Sequence, residues 1–498
     1  MSELTSPVPV TAAPQPRAAG RREATAPTPT TPTPAVAVQH APAAHRLALP
    51  VLLTGTCLIV LDFFIVNVAL PSMQAELRAS SAALEWVVAG YGLTFAVLLL
   101  AAGRLGDRFG RRRTFLAGLT LFTLASAGCA LAPSAGALIG ARLAQGAGGA
   151  LISPSVLALI GVLYDGPARA RAIGTYASVM GVAAAGGQLI GGLLLHADVA
   201  GLGWRLVFVI NLPLGIAAIA LTRRCIPESR PAANAAVDGP GLVLVTAAMT
   251  ALVLPLVDGR DSGWPWWTFA CLATAPLLFL AFGRRQRSIA RRGGAPLVDL
   301  ALFRTRSFVA GSLTQLLFWS GQASYFLVLA LYLQLGRGLS PLRAGLVFSV
   351  LAAAYLGTSL KTAALAARFG RRVVIAGAAA LAAGHLLALG VVAGTGTTGP
   401  VLLLAPSLLL AGAGMGLCLA PITATVLAAA QPQQAGAVSG LLSATQQVGN
   451  AVGVAAVGLV FFGTVHRGYA FAFEVSVGLL AVVLASAAVC ARQLPSHR

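Results

Sequence analysis

Fourteen stretches of roughly twenty residues or more, each nearly free of charge, follow one another along this 498-residue chain and restrict its fold more than any other feature. An α-helix needs about 20 apolar residues to cross a hydrocarbon layer of roughly 30 Å. In lipid, every backbone N–H and C=O must also be satisfied within the protein. The runs fall at about 47–70, 84–103, 114–132, 136–163, 172–195, 205–222, 238–257, 265–282, 307–333, 341–361, 372–394, 400–429, 435–463 and 470–491. They predict an all-α polytopic membrane protein. Residues 1–46, rich in Pro, Ala and Thr, hold too few apolar side chains to fold alone and are expected to be a disordered cytoplasmic tail, with 492–498 a second short one. The first apolar run starts too late, and is too long, for a cleaved signal peptide.

The formal charge of +20 would suit a nucleic-acid binder. The basic residues, however, sit in short clusters between apolar runs without interleaved aromatic platforms, so no nucleic-acid partner is expected. Topology accounts for them better. Loops on one side carry 21 Arg and Lys residues, and those on the other carry six: Arg78, Arg205, Arg260, Arg337, Arg343 and Arg467. By the positive-inside rule both termini are cytoplasmic.

The pentapeptide RFGRR occurs at 108–112 and again at 368–372, each time between the second and third spans of a six-span unit. The chain reads as a duplicated six-helix bundle, 47–222 and 307–491, with a linker at 223–306 carrying two extra helices. The six cysteines form no CxxC pair and no histidine lies at ligand spacing, so neither a metal, a cofactor nor a disulfide is expected. HExxH, GxxxxGK[ST] and GxSxG patterns are missing too, which argues against an enzyme or a nucleotide-driven pump.

One acidic residue stands apart. Asp62 alone lies well inside a span, while Glu85 and Glu474 are near span ends. An ionised carboxylate in hydrocarbon costs several kcal/mol, so Asp62 is protonated, paired or facing a water-filled cavity. It is the candidate proton carrier, the competing reading being a permanently paired acid that holds the first helix. Arg142 is the intramembrane cation, with Gln145 and Gly146 on its face at i+3 and i+4. It either tunes the affinity of Asp62 for a proton or clamps helices together. Asn67, Tyr91, Gln145, Trp319, Gln322, Tyr325, Gln446, Gln447 and Asn450 are candidate substrate-cavity residues, or else scattered inter-helix hydrogen bonds. Asn211 and Pro213 read as structure at the start of the sixth helix, and His385 as a packed histidine.

Several segments resemble one family. GRLGDRFGRR at 103–112 resembles the loop between helices two and three of the major facilitator superfamily. LDFFIVNVALP at 61–71 resembles the first-helix signature of its fourteen-span drug:proton antiporter branch, with Phe64 where threonine is usual. RLAQGAGGA at 142–150 is similar to the fourth-helix motif with a buried arginine. GQLIGGLL at 187–194 is similar to the fifth-helix antiporter motif, with Gln188 in place of its proline, and WRLVFVINLPLG at 204–215 to the start of helix six. The resemblance implies two six-helix bundles plus two inserted helices, rocking by alternating access. It gives a gating role to Gly103, Asp107, Arg108, Gly110 and Arg111, the alternative being a loop whose charges only fix topology. Gly187 and Gly191, four residues apart on helix five beside Gly192, let backbones touch, either as a rocking, gating interface or as ordinary bundle packing. The second loop copy has Ala363 and Ala367 where the first has Gly103 and Asp107, so only the first carries the full gate.

The function implied is proton-coupled export of amphiphilic drugs or antibiotics across a bacterial cytoplasmic membrane, conferring resistance. A lipid, peptide or metabolite exporter of the same fold, without proton coupling, is the alternative left open by Gln188. The expected partners are a small-molecule substrate, protons and the lipid bilayer, with a monomer as the working unit.

Overall fold

The computed structural model describes residues 42–229, 238–294, 296–428 and 435–494, all of them in helices, turns or irregular connections. Thirteen helices are long and apolar enough to cross a membrane, and a fourteenth qualifies across a bend. They are α1 (Pro42–Leu77), α2 (Ser81–Phe109), α3 (Arg111–Ala130), α4 (Ala135–Leu163), α5 (Gly166–Ala197), α6 (Gly203–Cys225), α7 (Gly239–Asp258) and α8 (Trp266–Arg291). After these come α9 (Arg306–Leu331), α10 (Pro341–Phe369), α11 (Arg371–Thr395), α12 (Ala405–Ala428), α13 (Ala435–Thr464) and α14 (Tyr469–Ala491). The expected tail at 1–46 falls almost wholly outside the described residues.

Local chemistry sets where these helices begin. The hydroxyl oxygens of Ser80, Ser134 and Ser340 and the carboxylate of Asp238 accept from backbone N–H groups three residues on, satisfying donors that a helix start leaves orphaned. The two RFGRR glycines make the corners between α2 and α3 and between α10 and α11, with φ of +102° at Gly110 and +54° at Gly370. That region is costly for a side chain and free for glycine.

α1–α6 and α9–α14 repeat one packing scheme. The third and fourth helices of each half pack closely, as do the second and fourth, the first and fifth, and the third and sixth. Between halves, α2 packs on α13 and α5 on α10. The inserted α7–α8 hairpin packs through α7 against both α2 and α13, so it covers one of the two seams.

The halves meet from mid-height to the end away from the RFGRR loops. A Cβ on Gly192 of α5 would lie 2.6 Å from the Pro341 carbonyl oxygen of α10, and one on Gly345 of α10 2.8 Å from that of Gln188. Gln334 Nε2, in the π turn that continues α9, donates to Val68 O of α1 at 2.9 Å. Phe64 stands 5.0 Å from Phe326, centroid to centroid, and Phe326 stacks on Phe348 at 5.4 Å, an aromatic bridge from α1 through α9 to α10. At the loop end, Gly103, Gly174 and Gly357 face open space, and Leu360 is 83% exposed. The molecule is shut at the far end and parted at the loop end.

Candidate functional site

Asp62, in the middle of α1, is completely buried, and of the three options for such a carboxylate the structure adopts pairing. Its Oδ2 accepts from Arg142 Nη1 of α4 in a short ion pair. Its Oδ1 accepts from Gln145 Nε2 at 2.7 Å and from Asn211 Nδ2 of α6 at 2.8 Å. Gln145 also accepts from Arg142 Nη1 at 2.7 Å and donates to Ser126 Oγ of α3 at 2.9 Å. Arg142 Nε donates to Val87 O of α2 at 2.9 Å, and its guanidinium lies 4.4 Å from the Tyr91 ring centroid, a cation–π contact. Five helices thus converge on one fully buried charge pair.

The helix spacing makes this possible. Arg142 and Gln145 share a face of α4, and Gly146, one turn beyond Arg142, lets α2 approach until a Cβ there would strike the Tyr91 carbonyl oxygen. Tyr91 OH donates to Ile59 O of α1 at 3.2 Å. Asn211, read in sequence only as structure at the start of α6, belongs to the Asp62 shell. Its signal was an amide in an otherwise apolar span. Arg142 Nη2 keeps no partner, which leaves the cluster one donor in excess.

At the loop end, Asp107 touches Arg111 at 3.5 Å and its side chain is 41% exposed. Arg111 Nη1 donates to Ala158 O at 3.4 Å, and Arg108 lies over Phe109. The loop is held chiefly by the segment after α6. Glu228 Oε1 accepts from Arg112 N at 3.1 Å, Arg111 N donates to Ser229 O at 3.0 Å, and Arg112 Nη1 donates to Ile226 O at 3.1 Å. A Cβ on Gly110 would collide with the Glu228 carboxylate. Sequence reasoning missed Glu228, whose only signal was an acid in a strongly basic stretch. In the second copy, Arg371 Nη1 grips Arg492 O and Leu494 O after α14, at 2.8 and 2.9 Å, so both loops hold the end of their own half.

The glycines of α5 lie at two contacts. Gly187 and Gly191 face Phe64 and Ile65 of α1, while Gly192 faces α10. The helix bends by 43° between Ala184 and Gly186 although no proline lies at the bend, the Gly186–Gly187 pair supplying the weak point. Loss of the motif proline therefore does not straighten this helix. Gln188 instead donates to Phe64 O of α1 at 3.0 Å.

The family model described as Major Facilitator Superfamily matches residues 52–454. The chain belongs to the major facilitator superfamily. It is a multi-pass membrane transporter of small molecules, not an enzyme. Among relatives of this major facilitator, the probable actinorhodin transporter of Streptomyces coelicolor is 39% identical over 420 residues, 84% of this chain and 72% of that one. The multidrug resistance protein Stp of Mycobacterium tuberculosis is 35% identical over 82% of this chain and 74% of its own. The puromycin resistance protein pur8 of Streptomyces alboniger is 35% identical over 88% and 90%. A crystal structure of an auto-inhibited POT family peptide transporter superimposes with a TM-score of 0.67 at 18% identity, covering 90% of this chain and 98% of that one, a likeness of fold.

The remaining candidates of this major facilitator scatter. Asn67 Nδ2 donates to carbonyls of its own helix, Phe63 and Phe64, rather than reaching a neighbour. Tyr325 is buried with its ring 4.2 Å from that of His385, and Trp319 is buried beside Phe318. Gln322 Nε2 is buried without an acceptor. On α13, Asn450 Nδ2 donates to Gln447 Oε1 at 3.0 Å, and Gln446 and Gln447 are half-buried. The Asp62 shell therefore draws together Arg142, Gln145 and Tyr91 alone from the list of sequence candidates.

Proposed function

We propose that this major facilitator exports antibiotics or other amphiphilic drugs from a bacterial cell in exchange for protons, with the RFGRR loops and both termini on the cytoplasmic side. The 21-to-6 arginine and lysine asymmetry supports that orientation, which makes the present conformer inward-open. The named substrates or resistances of its relatives, actinorhodin and puromycin among them, support the cargo class.

The single observation that carries the coupling is the buried Asp62–Arg142 pair, completed by Gln145 and Asn211. A carboxylate with three donors, one of them the Arg142 cation, is ionised in this state, its proton already released. In the outward-open state the shell opens to the outside, Arg142 withdraws, and a proton replaces it on Asp62. Removing one partner of such a pair leaves the other buried and uncompensated, a penalty of about 3–5 kcal/mol that a proton relieves. Each proton moving inward releases about 2.3 kcal/mol per 100 mV of membrane potential, which offsets uphill export. Asp107, Arg111 and the α5 glycines serve the gates.

Inverted membrane vesicles test the reading. An imposed pH gradient, acid inside, drives uptake of a fluorescent amphiphilic drug by vesicles containing the protein, and a protonophore abolishes it. Uptake indifferent to the gradient contradicts proton exchange.

A further inference from the structure

Glu85 occupies the second turn of α2, on the α2/α13 seam at the end the halves close. It is 1% exposed, and neither carboxyl oxygen has a hydrogen-bond partner. The carboxyl group is wedged against the backbone of α13: a Cβ on Gly458 would lie 2.6 Å from both its Cδ and its Oε2. The α7–α8 loop covers it. Trp86 Nε1 donates to both Asp258 oxygens at 3.1 Å, and Ala82 N to Asp261 Oδ2 at 3.2 Å, which ties the loop to the start of α2. Arg260 lies 5.2 Å from the Phe462 ring centroid of α13 and pairs with Asp261 at 2.5 Å. The charged groups facing Glu85 are Arg260, Asp258 and Asp261 of that loop. The described side chains of α13 include no charge. Arg260 spends its bonds on Asp261, and its buried Nη1 has no acceptor.

A carboxylate stripped of water and of every hydrogen bond is too costly to keep, so the group takes a proton. Parting of α2 and α13 would uncover it to water. We propose that Glu85 is a proton-binding latch on the outer gate: the seam closes only with this carboxyl protonated, and opening it to the outside lets the proton go. Because the proton leaves by the side it came from, the latch moves no net charge. It makes gate closure require an external proton, while Asp62 carries the transported one. Its use in the cycle rests on the proton-exchange reading above.

The latch is read in the absence of substrate and gradient, so its failure and that of coupled export are separable. In the full chain with native cysteines replaced, spin labels at Arg78→Cys and His466→Cys report the distance across the outer ends. The parent shifts from the short to the long distance as pH rises. Glu85→Gln keeps the short distance at every pH, Glu85→Asp restores the transition, and Arg260→Gln, which removes the facing cation, moves its midpoint to higher pH. A parent that shows no transition, or a Glu85→Gln protein that opens at the parent's midpoint, overturns the proposal.

Discussion

Asp62 is held by donors from two other helices, and each donor matters because nothing else in the span can take its place. Asn211→Ala removes one hydrogen bond to a buried charge, a loss of about 1.5–3 kcal/mol. We expect a lower unfolding temperature in detergent and weaker proton-driven uptake, with Asn211→Asp worse than Ala because it sets a second acid against Asp62. Unchanged stability and transport in Asn211→Ala contradict the place given to it in the shell. Asp62 and Arg142 were legible in the sequence because a charge in hydrocarbon always asks for an explanation. Asn211 and Glu228 were not: an amide in a span and an acid in a loop are common, and only the fold brings one to Asp62 and the other beneath Gly110. Glu85 was visible as an acid near a span end. The burial that singles it out arises from α13, more than 350 residues away in sequence.

Among the elements, the inserted hairpin shows how far span counting reaches. Both of its helices were legible as apolar runs, but their docking on the α2/α13 seam was not, because Asp258 and Asp261 look like ordinary loop acids. Its base is fixed by Asp238, whose carboxylate accepts from Arg285 Nε at 2.7 Å, Gln286 Nε2 at 2.9 Å and Gly241 N at 3.0 Å. Burial pushes this carboxyl up, and the bonds from Arg285, Gly241 and Gln286 outweigh it, leaving it below the usual aspartate range. A lowered value stabilises the fold above the unfolded-state pKa of about 3.9, and that stability is lost as pH falls through the folded-state value. Asp238→Asn should cost about 1–2 kcal/mol at neutral pH and flatten the acid side of a plot of melting temperature against pH. An acid slope equal to the parent's rules the contribution out. α5 bends without the motif proline, two adjacent glycines allowing it.

At the scale of the molecule, the duplication was legible from five residues, and both copies grip the end of their own half through a basic side chain. Which end stands open was not legible, since the same helices serve either conformer and only contacts such as Gly192 on Pro341 distinguish them. In the proposed cycle one carboxyl, shut between Arg142, Gln145 and Asn211, exchanges its ion pair for a proton as the halves rock. Reconstituted Asp62→Asn protein measures this most directly, by comparing exchange of labelled for unlabelled substrate with accumulation driven by a pH gradient. Exchange should persist while accumulation disappears. Accumulation at the parent's level would contradict it.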